Sequence, residues 1–189
     1  DVFVYTADGA TANLTITVTG INDAPVATND AGSVNEDATL SVSNGSGDII
    51  DNNDTDADDS ASLVVSAVRI GGVEGSGNAG TVGQALTGTY GQLTLNANGS
   101  YSYVANQDAA DDLDASDQVT DVFNYTLSDG TATDTATITI TVTGINDAPV
   151  ADNETGAVNE DATLTVTDGT SDVLHGDTDA DDSASLTVS

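Results

Sequence analysis

The sequence has almost no positive charge and no cysteine. A single basic residue, Arg69, stands against 32 aspartates and glutamates, so the formal net charge is −31. Such a surface repels nucleic acid and anionic membranes, because both are bound through Lys and Arg at phosphate groups. It attracts cations instead, and the acids are clustered rather than scattered. Without cysteine, disulfides and thiolate metal sites are excluded.

Long apolar runs are also missing. No segment is long and apolar enough to span a bilayer, and no signal-peptide pattern is present. The first residue is not Met, so we expect a fragment of something longer. Hydrophobic residues still make up 38% of the chain, enough to bury a core, and disorder is therefore not expected despite the charge.

Proline is nearly absent, and its position is informative. Both prolines, Pro25 and Pro149, lie in the octapeptide GINDAPVA, which occurs at 20–27 and again at 144–151. Proline fixes φ, disfavours helix at the residue before it and removes a donor from any continuing sheet. We interpret GINDAPVA as a stiffened linker between repeats.

The repetition extends well beyond the octapeptide. Residues 20–42 and 144–166 match at 18 of 23 positions, and DTDADDSASL recurs unchanged at 54–63 and 177–186. The matching segments are all offset by 120 to 124 residues, which predicts tandem repeats. We expect three parts: the C-terminal strands of a preceding repeat at 1–23, one complete repeat at 24–147, and the N-terminal part of a following repeat at 148–189.

Within the repeat the hydrophobic period is two. In TDTATITITVTG, apolar side chains alternate with threonines, which predicts a half-buried strand; Phe123, Tyr125 and Leu127 alternate in the strand before it. Asp129-Gly130 between these runs predicts a tight hairpin turn with φ > 0 at both positions. Asn98-Gly99 predicts a second hairpin, which points Leu93, Leu95, Tyr101 and Tyr103 to one face.

These segments and the runs near 25–34, 38–43 and 62–70 give about seven strands per repeat. No segment shows convincing helical periodicity, and residues 108–118 hold one helical turn at most. The fold predicted from the pattern is an all-β antiparallel β-sandwich. All aromatic residues except Tyr90 occupy alternating strand positions typical of a core.

Several sequence motifs resemble those of a known family. GTYGQLTLNANGSYSYV followed by DVFNYTLSDGTATDTATITITVTGINDAPVA resembles the VCBS repeat of very large bacterial surface adhesins, and VNEDATLSV is similar to bacterial cadherin-like domains. The resemblance implies Ig-like or cadherin-like β-sandwich repeats in tandem. It also implies the stalk of a secreted, calcium-requiring adhesin that acts in attachment and biofilm formation. No ligand-binding module is recognisable, so this piece resembles a spacer.

One acidic loop offers a dense set of oxygen ligands. In DNNDTDADDS, Asp54, Asp56 and Asp58 alternate and Asp59 is adjacent. Ca²⁺ takes six to eight such oxygens. The spacing is not that of an EF-hand, because Asp59 stands at the sixth position instead of Gly. The second copy offers Asp177, Asp179, Asp181 and Asp182.

Strand order in a sandwich brings this loop to the end where the linker enters. We therefore expect Asn22 or Asp23 and the hairpin residue Asp129 to join the loop, and Asn146 or Asp147 to do the same one junction later. Cadherins hold calcium at such a junction, with a linker of similar letters. Glu36 and Asp37 are weaker candidates, expected at the opposite end. The alternative is a solvated acidic loop with Asx-turns and no metal.

Other functions are less well supported. The only histidine, His175, aligns with Asn52 of the complete repeat, and no Cys or Lys nucleophile exists, so we do not expect an enzyme. A carbohydrate-binding sandwich needs exposed aromatic rings, whereas the rings here are predicted to be core. The partial repeats at both ends favour neighbouring repeats as partners. Alternatively, they pair end to end with other chains by strand complementation, as subunits of an extracellular filament.

Overall fold

The computed structural model describes residues 1–45, 47–58, 61–167, 169, 172–181 and 184–188. Almost all regular structure is β. In chain order the elements are β1 (Val2–Ala7), β2 (Ala10–Thr15), β3 (Asp30–Asn35), β4 (Thr39–Val42), β5 (Val64–Ile70), β6 (Ala85–Thr87), β7 (Gln92–Leu95), β8 (Tyr101–Val104), α1 (Asp108–Asp111), β9 (Gln118–Ser128) and β10 (Thr133–Thr143). The short α1 is the single helical turn that the sequence allows.

Two four-stranded sheets form a sandwich between residues 30 and 143. One has the order β3-β10-β9-β5 and the other β4-β8-β7-β6. All neighbouring strands are antiparallel except β3 and β10, which are parallel. The antiparallel sandwich predicted from the sequence is confirmed, and this pair is the one exception among the described strands. A chain that enters at one end of the sandwich and leaves at the other must run its first and last strands in the same direction.

The period-two pattern predicts the core correctly. Leu93 faces Tyr103 and Leu95 faces Tyr101 across the β7–β8 hairpin, and all four side chains are buried. The Tyr103 ring packs edge-on against Phe123 of the other sheet, with centroids 6.4 Å apart. This contact joins the two layers at the centre of the repeat.

The turn at Asp129-Gly130 is wider than predicted. Ser128 pairs with Thr133, so four residues rather than two form the connection, and only Gly130 has a positive φ (94°). The Asp129 carboxylate accepts the N–H groups of Thr131 and Ala132 at 2.6 and 2.7 Å, which is an Asx-type turn. The Asp129 side chain is therefore held at the tip of the hairpin.

Asp121 joins the two sheets from the inside. Its buried carboxylate accepts hydrogen bonds from the N–H groups of Thr89, Tyr90 and Gly91 and from the hydroxyl of Tyr103 (2.6 Å). Four donors satisfy the charge, so the β6–β7 turn is fixed to β9.

The N-terminal hairpin has the same register as β9–β10 but a different environment. Phe3 faces Leu14, as Phe123 faces Ile138. Its turn, Asp8-Gly9, does have two positive φ values, 51° and 82°. However, Phe3 and Tyr5 are about half exposed (52% and 54%), so their predicted core role is wrong for this chain. Among the described residues, the two-stranded sheet has no second layer to pack against.

No helix in the described part of the chain has the length and apolar character needed to cross a membrane.

Candidate metal centre

The first linker meets the acidic loop and the β9–β10 hairpin. The N–H of Asp23 donates to Oδ2 of Asp58 (3.0 Å), and Nδ2 of Asn22 donates to Oδ2 of Asp129 (2.9 Å). Asn22 also donates to the carbonyl of Asp23. Hydrogen bonds from Ala132, Asn22 and Thr131 lower the pKa of Asp129, so it stays ionised. The structure thus brings together the linker, loop and hairpin residues that sequence reasoning grouped.

The second linker repeats this arrangement. The N–H of Asp147 donates to Oδ2 of Asp181 (3.1 Å), and Asn146 donates to the carbonyl of Asp147. A backbone pair recurs as well, Val26 with Thr55 and Val150 with Thr178. Two linkers with identical letters therefore adopt the same local contacts with the loop that follows each of them.

Glu36 completes the second junction from the other side. It lies in the turn after β3, is only 1% exposed, and accepts the N–H of Ile145 on Oε1. Oxygens of Glu36, Asp147 and Asp181 lie within 4.8 Å of one another. Burial raises the pKa of the Glu36 carboxyl, and the neighbouring carboxylates Asp147 and Asp181 raise it further.

Three buried oxygens at these junctions have no donor within the described residues: Oε2 of Glu36, Oδ2 of Asp56 and Oδ1 of Asp181. A buried carboxylate oxygen without a donor is costly, and three converging carboxylates repel one another. At the second junction, one bound cation would resolve both problems for Glu36 and Asp181, whereas Oδ2 of Asp56 lies at the first junction and would need a cation of its own. The available ligands are all oxygen, which fits Ca²⁺ and excludes metals that need sulfur or nitrogen.

Sequence reasoning treated Glu36 as a weaker candidate, and the structure places it beside Asp147 and Asp181. It correctly expected Glu36 at the end opposite the first linker, but that end is where the second linker leaves. A signal was available, since VNED recurs at 34–37 and 158–161. Asp37 lies near the same junction. Burial and the charge of Asp181 raise the pKa of Asp147, and the charge of Asp37 raises it further.

Other predicted ligands point elsewhere. Both oxygens of Asp54 are used inside the repeat: Oδ1 accepts the N–H of Thr28 (2.8 Å) and Oδ2 lies 3.3 Å from the hydroxyl of Tyr125. Asp177 likewise accepts the N–H of Asp152 (2.9 Å). The predicted ligands that lie at the first junction are therefore Asn22, Asp23, Asp56, Asp58 and Asp129, but no three carboxylates among them converge within 4.8 Å as Glu36, Asp147 and Asp181 do at the second.

Asp56 and Asp179 shape the loops that carry the linker contacts. Oδ1 of Asp56 accepts the N–H of Asp58 (2.8 Å), and Oδ1 of Asp179 accepts that of Asp181 (3.2 Å). Asp59 and Asp182 lie outside the described residues. A further group that sequence reasoning missed, Asp152, Glu154 and Asp177, also brings three carboxylates together, but two of them are exposed.

The aromatic side chains of the sandwich do not form a carbohydrate platform among the described residues. Tyr101, Tyr103, Phe123 and Tyr125 are buried, and Tyr90 packs partly buried against the core. His175 is exposed. The rings of the sandwich therefore give the carbohydrate-binding alternative no support, and the exposed rings, Phe3 and Tyr5, lie on the N-terminal hairpin.

Comparison with protein families matches the bacterial cadherin-like domain over residues 22–144. Comparison with curated proteins gives no match. Among solved structures, human CDH23 EC21-23 is similar at 16% identity and a TM-score of 0.43, covering 90% of this chain and 51% of that one. The chain thus spans about half the length of that structure.

The endo-fucoidan hydrolase MfFcnA4 of glycoside hydrolase family 107 is also similar, at 16% identity and a TM-score of 0.34, over 78% of this chain and 20% of that one. A likeness this weak carries no argument about activity. The family match spans most of the chain and coincides with the sandwich and its first linker. The chain belongs to the bacterial cadherin-like domain family, which is a non-enzymatic, adhesion-type fold family.

Proposed function

We propose that this chain is a segment of the stalk of a large secreted bacterial cell-surface adhesin, with calcium stiffening the junctions between its repeats. In this proposal residues 24–147 are one complete extender repeat, flanked by parts of two neighbours. The stalk supports cell adhesion and biofilm formation by holding a distal binding module away from the cell. The family match supports the adhesion-type, extracellular context.

The observation that carries the proposal is the paired linker contact. The backbone N–H of Asp23 donates to Oδ2 of Asp58 at 3.0 Å, and that of Asp147 donates to Oδ2 of Asp181 at 3.1 Å. Each linker is therefore hydrogen-bonded to the acidic loop that follows it. At the second junction Glu36 adds a carboxylate from the preceding sandwich. A cation there would contact the body of one repeat, the linker and the loop of the next, and so fix their relative orientation.

Calcium suits this role because of where it is abundant. Extracellular calcium modules bind with dissociation constants of about 10⁻⁴–10⁻³ M. Sites of that affinity are filled outside a cell and empty inside it. The stalk would then stiffen only after export.

The test is a calcium titration of the chain after EDTA treatment, followed by small-angle scattering and thermal unfolding. We expect the particle to lengthen and its Tm to rise. A double variant, Asp58→Asn with Asp181→Asn, should lose most of both responses, because it keeps acceptors for the linker N–H groups but removes the charge. Asp51→Asn, an exposed acid of the first loop, is the matched control. If neither observable responds to calcium in the unmodified chain, the calcium part of the proposal is wrong.

A second candidate is end-to-end self-association into a filament. The apolar side chains Phe3, Tyr5 and Leu14 of the N-terminal hairpin are exposed, although their counterparts in the sandwich are core. An unpaired hairpin of this kind fits strand complementation by another copy. Scattering mass that grows with protein concentration would support it, and a mass that stays monomeric would exclude it.

A further inference from the structure

The hydroxyl of Tyr125 is surrounded by more acceptors than it can serve. Three oxygens lie around it: the carbonyl of Thr28 at 2.9 Å, Oδ2 of Asp30 at 3.0 Å and Oδ2 of Asp54 at 3.3 Å. A hydroxyl has one proton and two lone pairs. If both carboxylates are ionised, only one of these contacts is a hydrogen bond and the others set oxygen lone pairs against each other.

Asp30 is the member of this group that is cut off from water. It is 8% exposed, and its other oxygen accepts Nδ2 of Asn52 at 3.2 Å. The groups that act on it are acidic or neutral: Asp48 from the turn before the acidic loop, Asp54 from that loop, Tyr125 from β9 and Tyr101 from β8. Asp134 on β10 adds its charge through Asp54. The only guanidinium, Arg69, bonds the carbonyl of Gly77 instead.

We propose that Asp30 takes up a proton at mildly acidic pH and, keeping that proton, donates a hydrogen bond to the Tyr125 hydroxyl, forming a proton-dependent lock between the acidic loop and the body of the repeat. Oδ2–H of Asp30 then donates to Oη of Tyr125, and the Tyr125 proton is free for Thr28 or Asp54. The proton comes from solvent, and the O–H of Asp30 is the only covalent bond formed. One added proton converts an acceptor–acceptor contact into a hydrogen bond.

The lock acts on the loop that leads to the first junction. Asn52 and Asp54 bracket the anchored segment, and Thr55 follows it with two backbone hydrogen bonds to Val26, at 2.8 and 3.1 Å. The loop is therefore fastened to β3 and β9 immediately before Asp56 and Asp58. The lock lies inside the repeat and does not require bound calcium.

The electrostatics support this geometry. Burial raises the pKa of Asp30 from 3.8 to about 6, against the opposing effect of its hydrogen bonds. Because the folded state binds the proton more tightly than the unfolded state, the stabilisation is complete below pH 3.8 and is lost as pH rises through about 6. The two pKa values correspond to roughly a hundredfold change in the folding equilibrium constant.

The test is carried out on the whole chain in EDTA, so that its result does not depend on calcium. NMR of side-chain carboxyl carbons follows the titration of Asp30, and thermal unfolding from pH 7.5 to 4.5 follows stability. We expect Asp30 to titrate near pH 6. Asp30→Asn, which imitates the neutral acid, should have a higher Tm than the unmodified chain at pH 7.5, and the difference should shrink steadily as pH falls below about 6 towards 3.8.

Asp51→Asn removes a charge from the same loop without touching Tyr125, so it should leave the pH dependence of the Tm unchanged. Titration of Asp30 at its ordinary value near 3.8 would overturn the proposal. So would an Asp30→Asn chain that is folded but less stable than the unmodified chain at pH 7.5. The NMR titration uses the unmodified chain and decides the question even where a variant fails to fold.

Discussion

Two buried carboxylates, Asp121 and Glu36, are 4% and 1% exposed, yet the chain treats them in opposite ways. Asp121, in the middle of the sandwich, receives three backbone N–H groups and a tyrosine hydroxyl. Glu36, at the end, receives one N–H on one oxygen and none on the other from the described residues. Its nearest charged neighbours are two more carboxylates, Asp147 and Asp181.

The difference separates the interior of the sandwich from its end. A buried charge must be paired or hydrogen-bonded, and the interior meets that requirement with its own donors. At the end of the sandwich, carboxylates converge and one buried oxygen of Glu36 has no hydrogen-bond donor among the described residues. Stability inside the sandwich should therefore be independent of cations, whereas stability at the junction should depend on them.

Asp121→Ala should have the largest effect. It leaves three N–H groups and the Tyr103 hydroxyl without their acceptor, so we expect a loss of about 3–5 kcal/mol in the free energy of unfolding. The loss should be the same in calcium and in EDTA, as measured by urea denaturation. Asp112→Ala, which removes an exposed acid, is the control and should change stability little. A loss that calcium restores would erase the distinction between interior and end.

Tyr103→Phe should have a smaller effect of the same kind. It removes one donor from Asp121, the hydroxyl at 2.6 Å, and a hydrogen bond to a charged group contributes about 1.5–3 kcal/mol. Tyr101→Phe is matched in strand, size and burial, but its hydroxyl does not bond Asp121. Urea denaturation should show a clear loss for the first variant and a minor one for the second. Equal losses would mean that packing rather than the hydrogen bond dominates at Tyr103.

Glu36→Gln tests the junction. The variant keeps the shape and removes the charge, so stability in EDTA should be unchanged or higher, while the stabilisation by calcium at this junction should be lost. At free calcium ten times the dissociation constant, that stabilisation is about 1.4 kcal/mol. Thermal unfolding with and without calcium measures it.

Glu160→Gln is the natural control for this variant. Glu160 is the sequence copy of Glu36 in the following repeat, but it is exposed and outside the Glu36–Asp147–Asp181 group. Its replacement should leave the calcium response intact. If both variants respond to calcium like the unmodified chain, Glu36 is not a ligand.

Much of the sandwich was predictable because strands are recognised by the alternation of apolar and polar residues along the sequence. The alternation around Leu93 and Tyr103 indicated which side chains face inward, and this is confirmed. The register was not predicted, because Leu95 pairs with Tyr101 across a connection wider than the two-residue Asn98-Gly99 turn. The parallel β3–β10 pair was not predictable from period, because alternation says which face a residue occupies but not which strand lies beside it. The width of the turn at Asp129 was not predicted either, because it depends on the hydrogen bond that the Asp129 carboxylate accepts from the N–H of Thr131.

The junctions were predicted from repetition rather than from period. Identical letters at both linkers pointed to Asp23 and Asp147, and the structure places both against the following loop. Asp54 was grouped with its neighbours because sequence spacing cannot show that its carboxylate faces Thr28 and Tyr125. The proximity of Glu36 to Asp181 was not predictable from spacing, because the two residues are 145 positions apart along the chain.

Phe3→Ala should have the smallest effect on stability and is the sharpest check on the difference between interior and end. Phe3 and Phe123 occupy the same register position in two hairpins with matching letters, but Phe3 is 52% exposed and Phe123 is fully buried. We expect Phe3→Ala to change the free energy of unfolding of the sandwich by less than about 0.5 kcal/mol, and Phe123→Ala to cost about 3–5 kcal/mol. Urea denaturation at low protein concentration measures both. A large loss for Phe3→Ala would show that the N-terminal hairpin packs against something in solution, and a loss that grows with protein concentration would identify a second copy as its partner.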